Sequence, residues 1–155
     1  PLKSVNNNNS TTSIAGDQDN PYVNVNANGF RLPTNNEWEL AARYIDGTNW
    51  LPGSHISGDE SNSYDLSEVV GTYAVYNTAS TAVIAGKTAN NLGLYDMSGN
   101  VWEWVFDWSN SSHNWRILKG GAYYASASYL RVGYKGSRSP YKAENFAGFH
   151  IVRNK

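Results

Sequence analysis

The chain contains no cysteine. Disulfides, thiolate metal sites and cysteine nucleophiles are therefore excluded within it. It has no apolar run long enough to span a bilayer. It also has no excess charge of either sign: 12 Lys and Arg stand against 13 Asp and Glu, leaving −1. A nucleic-acid-binding domain carries a basic footprint, and none is present. Aliphatic residues are modest, yet there are 11 Tyr, 6 Trp and 14 Gly in 155 residues. A single domain of this length must therefore fill its core largely with rings. Abundant glycine implies many turns between short, ring-packed segments.

The order along the chain is uneven. Residues 1–28 are polar and rich in Asn, and are expected to be extended or poorly ordered. Thr34 is a good helix N-cap, and Glu37 completes the T-x-x-E capping-box spacing. Trp38, Ala41, Ala42 and Ile45 then share one helical face, so a helix is predicted from about Asn35 to Tyr44. Residues 46–92 show no sustained periodicity and are expected to form a long irregular surface region, with Tyr73–Tyr76 at best a short strand. Trp115–Leu118, Leu130–Tyr134 and Phe149–Val152 are predicted strands.

Two segments stand out chemically. Leu94–Trp104 reads Leu-Tyr-Asp-Met-Ser-Gly-Asn-Val-Trp-Glu-Trp, and it must bury two indoles while turning sharply and satisfying two carboxylates. Asp96 and Glu103 could form an acid/base pair, although carboxylates flanked by tryptophans and a turn glycine more often serve structure. From Tyr123 to Phe146, six aromatic residues alternate with Ser and Gly, and Arg131, Lys135, Arg138 and Lys142 add positive charge. Binding loops favour this composition: Tyr supplies rigid amphipathic area, Ser and Gly adapt, and Arg anchors. The plainer alternative is that these tyrosines pack a core poor in aliphatics. No G-x-S-x-G elbow, P-loop or Rossmann fingerprint is present.

Four motifs occur in a familiar order: Gly29-Phe-Arg-Leu-Pro-Thr with Glu37-Trp-Glu-Leu-Ala-Ala-Arg43, Gly93 to Trp104, Leu118 to Tyr123, and Gly148 to Arg153. Together they resemble the formylglycine-generating-enzyme (sulfatase-modifying factor) family. The resemblance implies an α+β fold, an irregular C-type-lectin-like domain with a few short strands and one or two helices. It also implies that residues 29–155 are the C-terminal part of such a domain.

In the family's oxidases two cysteines bind copper, and their positions fall on Ala125 and Leu130 here, so the resemblance does not carry the oxidase chemistry with it. A related branch uses histidine-bound iron. His55, His113 and His150 are the only histidines and lack paired spacing, and His150 replaces the usual Arg of the Gly-Phe-Arg motif. By position, the family implies a structural Ca²⁺ held by side chains of Asp96 and Glu103 and carbonyls of Gly99 and Val101, with no other cofactor required. The alternative is that both carboxylates accept hydrogen bonds and no ion is held.

The chain is most similar to one branch of the family, the variable proteins of diversity-generating retroelements. These display a hypervariable surface near the C-terminus, here about residues 120–153. The variable positions fall on Tyr124, Ala125, Ser126, Tyr129, Gly136, Ser137, Arg138, Ser139, Glu144, Asn145 and Phe146, with Tyr134 presented beside them. The expected function is a non-catalytic receptor for a protein ligand, exposed on a bacterial surface, secreted or on a phage particle. A carbohydrate-binding module, a divergent metal oxidase and a purely structural subdomain are the rivals.

Overall fold

The computed structural model describes residues 2–3, 22–23 and 28–153. The expectation for residues 1–28 lies largely outside them. Regular structure is sparse: two-residue strands β1 (Leu2–Lys3), β2 (Tyr22–Val23) and β3 (Phe30–Arg31), helices α1 (Asn35–Arg43) and α2 (Val70–Tyr73), then β4 (Trp102–Trp108) and β5 (Arg116–Lys119). A 3₁₀ turn at Ala127–Tyr129 precedes β6 (Gly136–Arg138), β7 (Ala147–Gly148) and β8 (Val152–Arg153). This is the mixed, irregular architecture of a C-type-lectin-like domain.

The helix α1 forms as its sequence dictates. Thr34 accepts from the Glu37 amide, and Glu37 accepts in return from the Thr34 amide at 2.8 Å. Arg31 closes the same carboxylate with two bonds of 2.6 Å, which holds the Glu37 pKa down at about 2. Trp38 and Ala42 point inward and pack with Met97, Val105, Ile117 and Val132.

The main sheet runs in the order β6-β5-β4-β7. Its β4–β5 and β5–β6 pairs are antiparallel, and β4–β7 is parallel. The turn leading into β4 is tight: a Cβ on Gly99, whose φ is +81°, would overlap the Val75 backbone. Asp96 and Asn100 also adopt positive φ, which short polar side chains tolerate. Trp102 is buried in this sheet and Trp104 is half-buried against the same cluster, as the aromatic pattern requires.

Three expected strands change. Tyr73 ends the helical turn α2 rather than opening a strand, and Val75 forms only an isolated bridge with Gly99. Leu130–Tyr134 is a succession of turns: Leu130 and Val132 are buried in different clusters, and the Val132 and Gly133 amides donate to His55 and Gly53 carbonyls. The alternation of apolar residues there reflects two separate cores, not a sheet face. At the C-terminal end only Val152–Arg153 is a strand, paired with β3, while Phe149 and Ile151 are exposed.

Candidate functional site

The β5–β6 pair and the 3₁₀ turn enclose a cavity of about 560 Å³ on the face of the sheet beside β6. Its floor is apolar. Gly136, opposite Leu118 in register, lies so close to Trp102 that an added Cβ would sit 3.1 Å from the indole. Rings form the walls. Tyr124 meets Phe146 edge-on at 5.6 Å, and Tyr129 meets Tyr134 edge-on at 5.1 Å. Tyr134 in turn lies 6.0 Å from Trp102. Such tilted contacts are favourable and pre-set the ring orientations before any ligand arrives.

Nine of the twelve predicted binding residues line this cavity: Tyr124, Ala125, Ser126, Tyr129, Tyr134, Gly136, Ser137, Arg138 and Phe146. Ser139, Glu144 and Asn145 do not, although Glu144 stands 3.9 Å from the Arg138 guanidinium. Ala125 departs from expectation in another way. It is not displayed but buried, packed with Ile56, Val70, Ala74 and Leu130, because its amide bonds back to Ala122 and its carbonyl accepts from Asn77. Trp102, Trp115, Leu118 and Lys135 also line the cavity and were missed. Lys135 carried a signal, its basic charge within the Tyr–Ser–Gly segment. Trp102 and Leu118 enter through strand pairing, and Trp115 through its place immediately before β5.

A buried lysine supports the site from below. Lys119 is fully buried and donates to the carbonyls of Val132 and Tyr134, both at 2.8 Å. It thereby holds the backbone that delivers Tyr134 and Lys135. Burial lowers its pKa to about 8, and Glu39, at 3.9 Å, partly offsets that.

The expected calcium ligands occupy a different region. Glu103, at the start of β4, accepts from Trp38 Nε1 at 2.5 Å with one carboxylate oxygen and contacts His150 Nδ1 at 2.7 Å with the other. The hydrogen bond to Glu103 raises the His150 pKa against the opposing effect of burial, and Asp96 adds to the rise. Asp96 Oδ2 accepts from the Ala85 amide, while its buried Oδ1 has no hydrogen-bond partner. Gly99 is buried and Val101 half-buried in the turn between them. Asp96 thus fits a hard cation, but Glu103 does not, because both of its oxygens already face donors. The three histidines are separate: His55 contacts the Asp59 carbonyl, His113 stacks on Trp108, and His150 faces Glu103. Among the described residues no three His, Asp or Glu side chains are grouped to hold a metal ion.

Residues 5–155 match the sulfatase-modifying factor enzyme 1-like domain. The chain belongs to this family. Among its relatives is the chaperone protein LppX of Paenibacillus barcinonensis, 33% identical over 86% of this chain and 52% of that protein. The formylglycine-generating enzyme of Streptomyces coelicolor is 29% identical over 92% of this chain and 55% of its own length. Variable protein 1 of Treponema denticola superposes with a TM-score of 0.75 at 30% identity, over 88% of this chain and 51% of that one. The chain spans about half the length of the curated relatives it matches. Ala125 and Leu130 share one buried apolar cluster with Ile56, Val70 and Ala74.

Proposed function

We propose that this sulfatase-modifying-factor-type domain is a non-catalytic binding protein. It presents the ring-lined cavity to a protein partner, in the manner of the variable proteins of diversity-generating retroelements. One observation supports the proposal: nine of the twelve residues marked by that resemblance, scattered from 124 to 146, line a single cavity over a buried floor. Apolar packing at Ala125 and Leu130 supports a non-catalytic role, since neither side chain can bind a soft metal. A receptor needs a surface that a partner can reach, so the proposal includes an exposed location on a bacterial cell, in the medium or on a phage particle. Among the described residues no helix is long and apolar enough to cross a membrane.

Display requires that side chains at the rim do not hold the fold. Replacing Tyr124→Ser, Ser126→Asn, Ser137→Asn and Arg138→Ser together is expected to leave Tm within about 3 °C of the parent. A fall of about 10 °C or more would identify them as structural and end the display proposal. A second check is genomic. A neighbouring reverse-transcriptase gene is expected with a near-copy of the segment encoding Gly120 to Arg153, differing only at adenines, and finding none would favour a carbohydrate-binding or structural role.

A further inference from the structure

The charge of the cavity specifies which part of a partner it takes, given the binding role proposed above. The chain as a whole is slightly acidic, at −1. The cavity wall reverses that sign: Lys135 and Arg138 line it, and no carboxylate does. Among the described residues Lys135 has no ion-pair partner. Arg138 donates to the Ser137 carbonyl at 3.2 Å, with Glu144 3.9 Å away and the Phe146 ring 5.8 Å away. Beneath them Lys119 is buried near enough for the charge of Lys135 to disfavour its own protonation. Positive charge is therefore concentrated beside low-dielectric aromatic walls, where it attracts an anion more strongly than on open surface.

The walls specify the second requirement. Tyr124–Phe146 and Tyr129–Tyr134 are both edge-to-face pairs, with interplanar angles of 83° and 77°. A further ring continues this arrangement, meeting faces with its edge and edges with its face. The volume of about 560 Å³ lies within the usual range for pockets that enclose a small ligand or a side-chain group.

We infer that the cavity seats an aromatic side chain bearing an adjacent carboxylate, as in an acidic–aromatic segment of a protein partner. The ring lies against Trp102, Tyr134 and Phe146, and the carboxylate meets Lys135 and Arg138.

The test uses the whole 155-residue chain and two probes, N-acetyltryptophan and its neutral amide, N-acetyltryptophanamide. Amide resonances are followed by ¹H–¹⁵N NMR. Both compounds are expected to shift Tyr124, Gly136 and Ser137 and the Trp102 indole, with the acid binding about fivefold more tightly. Lys135→Gln, and separately Arg138→Gln, are expected to bring the acid toward the affinity of the amide, with unchanged Tm showing that each variant is folded. Equal affinity of acid and amide for the parent overturns the anionic half of the inference. No shift at these resonances, or an equal shift with the neutral sugar maltose, overturns the aromatic half. Either failure leaves the display proposal intact provided the quadruple rim variant keeps its Tm. Loss of Tm in that variant is what overturns display itself.

Discussion

Glu103 and His150 face each other at 2.7 Å across 47 residues of sequence, tying the start of β4 to the stretch between β7 and β8. The contact gives the fold a pH dependence of known sign. The folded pKa of His150 is raised, chiefly by its hydrogen bond to Glu103, so the folded state binds the proton better than the unfolded chain does. The stabilisation is complete below about pH 6.5, the unperturbed value, and is lost as pH rises through the folded pKa. Tm is therefore expected to fall as pH rises across that interval, and His150→Gln should flatten the fall. Parallel curves for parent and variant would contradict it. Lys119 acts in the opposite direction at higher pH. Its pKa is depressed to about 8, so above that the unfolded chain holds more protons and stability gains.

Calcium is expected to stabilise little. An ion at Asp96 and Glu103 gains the unpartnered Asp96 Oδ1 but must displace donors already on Glu103. Exchanging EGTA for millimolar CaCl₂ should move Tm by less than about 2 °C. A clearly larger rise would mean that the ion takes Glu103 from His150.

Copper should not bind stoichiometrically. The chain has no cysteine, and Ala125 and Leu130 are closed into an apolar cluster with Ile56, Val70 and Ala74. Cu(I) favours soft sulfur ligands, which this cluster lacks. Elemental analysis after incubation with Cu(I) and gel filtration is the measurement. One copper retained per chain would restore the oxidase interpretation.

Gly121→Ala should be among the more damaging single substitutions near the site. Gly121 has φ +77°, and a Cβ there would lie 2.5 Å from Leu130 Cδ2 and 2.9 Å from the Tyr129 carbonyl oxygen. Backbone strain and overlap together are expected to cost about 2 kcal/mol or more, read from urea unfolding. Because the displaced atoms belong to the 3₁₀ turn and its cap, the Tyr129–Tyr134 ring contact should loosen as well. A neutral substitution would mean that the turn has slack.

The local features were legible in the amino-acid sequence. The capping box of α1, the inward face of Trp38 and Ala42 and the segment that forms the cavity depend on neighbours a few residues away, and short-range rules read them. The absence of cysteine alone removed thiolate chemistry. Sidedness was decided by tertiary structure. With no long periodic elements, nothing in the sequence tells that Ala125 turns inward while Tyr124 and Ser126 face out. Nor does it tell that Leu130 and Val132 enter two different cores, or that Trp102 lines the cavity with the residues from Tyr124 to Phe146, all more than twenty positions away. In such a fold, burial is set by long-range contacts between irregular segments, and those exist only once the chain has closed.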